Sequence, residues 1–488
     1  ITLWSTQGSN DEKTFKDVKV PHPLLPRNIL NIDDFTFIIY GTYMMTKAPT
    51  DQLIEQVNNL KGIAKTHDEY MTKSSGVKSH EYDYSDSKLL DDDFGYNPEM
   101  CYAVGKIISA KIRKKNAIVN LQNNWNRYMN TPIDDMANNS GLRSTKDHKE
   151  FFGQKGYYII YKEILNDSKS LKALQDIIDT EENPQKMSNR INELNTTFLD
   201  YQNDNELEQV IFTVVDKKQR AGAREIYVMD MLTKAYQYPV EKLFKDICAI
   251  FEEEIISVPS NQRAHLIHSK LFEGNPKYNV YYLTLDCRKW APRSMPEKYV
   301  YVLLGMSDVL PDDFVKTVVN YFLLHEKKQV HTRKKVFDQF MSNPNNLKYR
   351  KYFQEDEQRE SAYFEMPYSF VMGIFNLLSS LMHVGIQYLT KHVIESKFNG
   401  MGVHLDMSML AHSDDSGGSI TISESKHMPE VLSMYEFMLK TTNHMMSLKK
   451  CNVSKVYFEL ISTLYINKQF LPLLAKFIQN IKFTTSGK

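Results

Sequence analysis

At 488 residues the chain exceeds what one hydrophobic core normally covers, so two or three subdomains are expected. A hydrophobic share of 42% with 12% aromatic residues argues against a disordered chain, and 60 basic against 60 acidic side chains leave no net charge to speak for or against a nucleic-acid partner. Four distant cysteines, Cys101, Cys248, Cys287 and Cys451, exclude a paired zinc motif or a dense disulfide framework and fit a reducing compartment.

Residues 1–35 read as a loop-rich lead-in, with Pro21, Pro23 and Pro26 close together. From about 36 to 205 helical signals dominate, at 53–65, 100–115 and 170–182, with a polar, acidic surface loop at 74–98. There is no internal repeat and no secretory signal. The start at Ile1 and the end in TTSGK suggest an excised piece of a longer protein.

The texture then changes. VIFTVVDKKQRAGAREIYVMDM (210–231) reads strand, basic loop, strand. Lys217, Lys218, Arg220 and Arg224 make that loop either a solvated basic hairpin or a grip for a triphosphate or nucleic-acid backbone, with Glu225 able to orient an arginine. YNVYYLTLDCRKWAPRSMP (278–296) is a buried-looking strand that ends on Asp286, followed by a helical span (297–325) and a charged connector (326–362).

FVMGIFNLLSSLMHVGIQYL (370–389) is long enough to span a bilayer, but Asn376, Ser379, Ser380, His383 and Gln387 interrupt it and favour a buried or half-buried helix. Gly373, Asn376, Ser379 and Ser380 are small or hydrogen-bonding groups at its start. They suit ribose and base recognition, or simply a loop-to-helix junction. Val403, Leu405, Met407 and Met409 alternate with His404, Asp406 and Ser408, and 419–423 alternates again, so a β-hairpin is expected with Asp414 and Asp415 at or beside its tip. The last segments read helix (431–446), short strands (447–462) and helix (470–483), an α+β arrangement.

HSDDSGGS (412–419) is rich in turn-forming residues and is open to two readings, a solvated turn or a held acidic pair that needs a counter-charge. Two strands of one sheet could bring Asp286, Asp414 and Asp415 together around two divalent ions about 3.5–4 Å apart, the separation used for in-line phosphoryl transfer.

In chain order, KKQRAGAREIYV, DCRKW, GIFNLLSS, SDD, KK and ELIS resemble the successive motifs of RNA-dependent RNA polymerases of segmented negative-strand RNA viruses, nearest to the bunyavirus L protein. Lys217, Gln219, Arg224, Glu225 and Ile226 match the pre-A (F) motif, and Asp286, Lys289 and Trp290 match motif A. Gly373, Asn376, Ser379 and Ser380 match motif B, and Ser413, Asp414 and Asp415 match motif C. Lys449 and Lys450 resemble motif D; Glu459 and Ser462 resemble motif E. The motifs cover about residues 210–465. Met372 stands where relatives usually carry Gln, and Leu460 where Phe is usual.

The resemblance implies a right-hand polymerase core of fingers, palm and the start of a thumb, with an antiparallel palm sheet and helices packed on it. Its parts would be a mainly helical fingers-side lead-in (1–205), fingers with the basic F motif (206–275), palm motif A (276–296), a fingers insertion (297–365), palm motifs B to E (366–465) and the start of the thumb (466–488). It implies template-directed nucleotidyl transfer from NTPs to an RNA 3′-OH, with Asp286, Asp414 and Asp415 binding two Mg²⁺ (or Mn²⁺) ions. Lys217, Gln219, Arg220, Arg224, Lys289, Trp290, Gly373, Asn376, Ser379 and Ser380 would face the nucleotide. Lys449 or Lys450 would protonate pyrophosphate, and Glu459 and Ser462 would lie on the primer and product side. Implied partners are RNA template and product, NTPs, the rest of the L protein and viral nucleoprotein, in the host cytoplasm and the virion, with no transmembrane segment. The competing reading is a non-catalytic RNA-binding or assembly fragment. A reverse transcriptase is a third, set back by Ser413 where those enzymes carry an aromatic-x-Asp-Asp run.

Overall fold

The computed structural model describes residues 52–73, 95–131, 207–219, 222–273, 276–288, 290–447 and 450–472, with short backbone pieces at 2–3, 196 and 199–200. The expected helix at 170–182 and most of the acidic loop at 74–98 lie outside the described residues.

In chain order the elements are β1 (Thr2–Leu3), α1 (Gln52–Lys73), α2 (Pro98–Lys114), α3 (Ile118–Asn130), the hairpin β2 (Ile211–Gln219) and β3 (Gly222–Met229), α4 (Met231–Cys248), α5 (Ser260–Leu271) and β4 (Asn279–Asp286). There follow α6 (Pro296–Met306), α7 (Asp312–His325), β5 (Gln329–Arg333), α8 (Lys334–Met341), β6 (Gln354–Asp356), β7 (Ser361–Glu365) and α9 (Asn376–Gly400). The hairpin β8 (Leu405–His412) and β9 (Asp415–Ile422), α10 (Met428–Thr441), β10 (Asn452–Ser454), β11 (Tyr457–Leu460), β12 (Thr463–Ile466) and β13 (Gln469–Leu471) complete the order.

Local chemistry sets many of these ends. Asn97 Oδ1 accepts the Met100 amide at 2.7 Å and Pro98 opens α2 without an amide to satisfy; Asp230 Oδ1 accepts the Thr233 amide at 2.8 Å and opens α4. Pro311 divides the expected helical span of 297–325 into α6 and α7.

The chain folds as two compact units. One comprises Pro49–Ile250 and Ala291–Leu378. Its sheet runs β3-β2-β5-β7-β6, with β2 and β5 parallel and the other pairs antiparallel. The stretch 326–362, expected as a charged connector, supplies β5, β6 and the start of β7 to this sheet, in which Val330, His331, Thr332, Ala362 and Phe364 are buried. Lys328 is buried there and donates to the carbonyls of His325 and Met366; burial pulls its ammonium pKa down to about 7. Helices α2 and α6 cross at Gly105 and Gly305, where an added Cβ on Gly105 would stand 2.1 Å from Val302 O.

The other unit comprises Ile1–Ala48, Phe251–Trp290 and Ser379–Lys488. Its sheet runs β1-β10-β4-β9-β8, all antiparallel, with β4 in the middle. Thr2–Leu3, within the expected lead-in loop, forms the edge strand beside β10. The meander β11-β12-β13 turns on Ile461–Ser462 and Asn467–Lys468, each pair at positive φ as two-residue hairpin loops require. Phe458, Leu460 and Tyr465 from the meander pack with Phe272, Tyr282 and Leu410 into one core. The C-terminal helix expected from 470 begins instead as strand at Phe470 and Leu471, paired with β12; the segment after 472 lies outside the described residues.

Candidate active site

The register of three strands builds the site. On neighbouring antiparallel strands Asp286 of β4 lies opposite Asp415 of β9, and His412 of β8 opposite the same Asp415. The hairpin loop is therefore the two residues Ser413 and Asp414, with φ +57° at Ser413. Directly opposed side chains share one face of a sheet, so the acids at 286 and 415 project to the same side. Gly417 and Gly418, which look like turn residues in HSDDSGGS, lie within β9. A Cβ on Gly417 would meet Leu283 O and the Phe458 ring at 2.8 Å, and one on Gly418 would stand 2.1 Å from Ser408 O. They let neighbouring strands and the meander come close.

Two carboxylates facing each other repel unless a cation stands between them. Lys450 Nζ supplies part of that charge, 3.0 Å from Asp286 Oδ2. Asp286 Oδ1 is buried and finds no hydrogen-bond partner. Burial, then the charges of Asp414 and Asp286, push the Asp415 carboxyl up to about 7, with Lys450 opposing and Glu459 adding to the rise. Among the described residues no three His, Cys, Asp or Glu side chains stand close enough to hold an ion as they are. The donor types nevertheless suit hard divalent cations: three carboxylates, one with an orphaned oxygen and one whose hold on a proton is strengthened by burial and by the other two.

The loop is gripped from behind. Ser380 Oγ accepts the Ser413 amide at 3.2 Å, and His383 Nδ1 donates to the Ser413 carbonyl at 2.8 Å. Both come from successive turns of α9, so one helix face holds both polar backbone groups of a non-glycine residue at positive φ. The outer side is tied by the Cys287 amide on the Asp414 carbonyl at 3.1 Å and the Ser447 amide on the Asp286 carbonyl at 2.7 Å.

The remaining sequence candidates fall in several places. Ser379 and Ser380, expected at a nucleotide, are buried and internally bonded: Ser379 accepts the Trp290 indole N–H at 3.3 Å, and Ser380 serves the loop. Trp290 itself lies against His383 and His444, with ring centroids 5.3 and 4.8 Å away, and backs the loop. Gly373 (φ +94°) and Asn376 are exposed, and positive φ at Gly373 and Phe375 makes the bend that delays the start of α9 to residue 376. Lys217 and Arg224 are cross-strand partners, as are Gln219 and Gly222, in the hairpin of the other unit. Glu459 is on β11, its amide donating to Thr284 Oγ1 at 2.9 Å, and Ser462 is in the following turn. Arg220, Lys289 and Lys449 lie outside the described residues. Sequence reasoning missed His383 as a support of the loop, and His444, whose ring packs against those of His383 and Trp290. His383 interrupts the apolar run, which points to a buried or half-buried helix and not to the loop that it holds.

All four cysteines are free and buried, and among the described residues no helix is long and apolar enough to cross a membrane. The family model for bunyavirus RNA dependent RNA polymerase matches residues 99–478. The chain is similar to RNA-directed RNA polymerase L of European mountain ash ringspot-associated virus, 23% identical over 306 residues, covering 57% of this chain and 13% of that protein. Bunyamwera virus polymerase L is 22% identical over 296 residues, covering 55% of this chain and 13% of its own length, and that of Dabie bandavirus is 24% identical over 240 residues, covering 45% and 11%. The chain thus spans a small part of these relatives. With its matched span containing the opposed acids, the hairpin loop and the basic strand pair, the chain belongs to the bunyavirus RNA-dependent RNA polymerase family.

Proposed function

We propose that this chain is the catalytic core of a template-directed RNA polymerase, transferring nucleotides from NTPs to an RNA 3′-OH for viral genome replication and transcription. The observation that carries the reading is the pairing of Asp286 with Asp415 beside the Ser413–Asp414 loop, with Asp286 Oδ1 buried and unpartnered. In this reading the unit around β4 is a right-hand palm, and Asp286, Asp414 and Asp415 hold two Mg²⁺ or Mn²⁺ ions. When bound, such ions make the attacking hydroxyl more acidic and steady the charge on the departing pyrophosphate.

The chain's own residues do the rest. Lys217, Gln219, Arg220 and Arg224 grip the triphosphate through charge-assisted hydrogen bonds, and Lys289 adds charge near motif A. Gly373 and Asn376, both exposed, meet the ribose and base. Trp290, Ser379 and Ser380 serve the nucleotide indirectly, by backing the acidic loop. Lys450, already beside Asp286, or Lys449 hands a proton to pyrophosphate. Glu459 and Ser462 lie on the product side. The partners are RNA template and product, NTPs, the rest of an L protein and the viral nucleoprotein, in the host cytoplasm and the virion.

The test is Asp414→Asn in the complete polymerase. Loss of one metal-holding charge removes several kcal/mol of barrier lowering, so incorporation falls by at least about 10²-fold while the melting profile is kept. Undiminished incorporation by a folded variant would remove Asp414 from the site and the reading with it.

A further inference from the structure

Glu254 belongs to none of the matched motifs. It closes the run Glu252–Glu253–Glu254, and the three acids go to three different places. Glu252 pairs with Lys270 at 2.6 Å, Glu253 accepts the Tyr388 hydroxyl, and Glu254 is completely buried. Its carboxylate is saturated: Oε1 accepts the Ile256 amide at 2.9 Å and the Ser380 hydroxyl at 2.6 Å, and Oε2 accepts the Ser257 amide at 3.0 Å and the Ser257 hydroxyl at 2.8 Å.

The Ser380 bond gives this burial a direction. The Ser413 amide can only donate, so Ser380 Oγ must accept there, and its single proton goes to Glu254. The chain around Glu254 also docks on β8, with the Ala411 amide on Glu253 O at 2.9 Å and the Ile255 amide on Ala411 O at 3.0 Å. Arg263 fixes the following loop through Val258 O at 2.8 Å and Ile256 O at 3.0 Å. A carboxylate held this firmly is an anchor.

Resting on the polymerase reading above, we propose that Glu254 is a positioning residue for the acidic loop: acting through Ser380, it fixes the Ser413 amide and so sets where Asp414 and Asp415 stand beside Asp286. Glutamine cannot substitute. With its amide group toward Ser380, the serine receives two protons and its own has no acceptor; turned the other way, that group confronts the Ser257 N–H. A residue that only stabilised the fold would lower the melting temperature and leave the metal demand alone.

The experiment titrates Mg²⁺ both in primer extension and, without substrates, in melting curves of the complete polymerase carrying Glu254→Gln, Ser380→Ala or both, with Asp414→Asn beside them. The half-saturating Mg²⁺ concentration should rise about 10- to 100-fold in each single variant, the range for lost support behind a metal ligand, with the NTP KM unchanged. The double variant should be no worse than the more affected single one, because both break the same relay. Should Glu254→Gln not fold, Ser380→Ala decides, since it leaves Glu254 its bonds to Ile256 and Ser257. Wild-type Mg²⁺ dependence in the folded variants, or additive losses in the double variant, overturns the proposal while an inactive Asp414→Asn upholds the polymerase reading. An active Asp414→Asn overturns that reading itself.

Discussion

Lys450 Nζ lies 3.0 Å from Asp286 Oδ2, so the acid that ends β4 carries a counter-charge from its own chain. The neighbouring Asp415, raised from 3.8 to about 7, keeps a proton in the folded chain that the unfolded chain has lost. Its contribution to stability is therefore largest at low pH and is lost as pH rises toward about 7. On the proposed two-ion reading a divalent cation displaces that proton, so as pH rises toward about 7 the Mg²⁺ needed for half-maximal thermal stabilisation should fall roughly tenfold per pH unit, and above it should level off. Melting curves of the complete polymerase across this range, with Asp415→Asn as control, measure it. A metal demand equally steep in the control would assign the effect to another group.

Ser413 adopts φ +57° at the first loop position, a conformation that costs a side chain about 1–2 kcal/mol and glycine almost nothing. Ser413→Gly should therefore fold, keep synthesis and melt no lower than wild type, whereas Ser413→Val, stiff at Cβ, should lose both stability and activity. Incorporation and melting temperature, read together, check this. An inactive but stable Ser413→Gly would mean that the hydroxyl itself takes part.

The contact of Gly105 with Gly305 leaves no room for a methyl group, because the nearest atom to a new Cβ is backbone oxygen. Gly105→Ala should destabilise its unit by about 1–3 kcal/mol, the usual range for overpacking. Gly62→Ala provides the contrast: it sits in α1 with nothing within 4 Å of the new Cβ, and should stabilise by roughly 0.5–1 kcal/mol. Opposite shifts in denaturant midpoint are expected, and equal shifts would refute the close crossing.

Lys328, drawn down from 10.5 to about 7, binds its proton more weakly folded than unfolded. Folded stability should thus rise with pH between about 7 and 10.5 and carry a constant penalty below that window. Lys328→Met should flatten this slope whatever it does to the absolute value, since Met366 O also loses a donor. An unaltered pH slope in the variant would show that Lys328 reaches water.

Much of the site was readable from residue order. Period-two alternation on both sides of HSDDSGGS marked the hairpin, and an apolar run stopping at Asp286 marked the strand that faces it. The readings failed where a residue's partner lies far along the chain. Glu254 carries no local signal, because the serine that donates to it, Ser380, lies 126 residues away. Gly417 and Gly418 look like turn residues because sequence shows their flexibility and not the Leu283 and Ser408 carbonyls pressed against them. Lys328 disguised a core strand as a connector. The run from 370 looked helical throughout, but nothing in it announces the positive φ of Gly373 and Phe375.

The strand order β1-β10-β4-β9-β8 also sets a schedule for biosynthesis. The unit built from Pro49–Ile250 and Ala291–Leu378 has all its residues once Leu378 has left the ribosome, whereas β4, made by residue 286, then still waits for β8, β9 and β10 between Leu405 and Ser454. Until those strands emerge, β4 has two open edges, a state prone to mispairing and slow to resolve because the closing contacts are so distant in sequence. Asp286 can therefore meet Asp415 only after β9 has been made, well behind β4 in the order of synthesis.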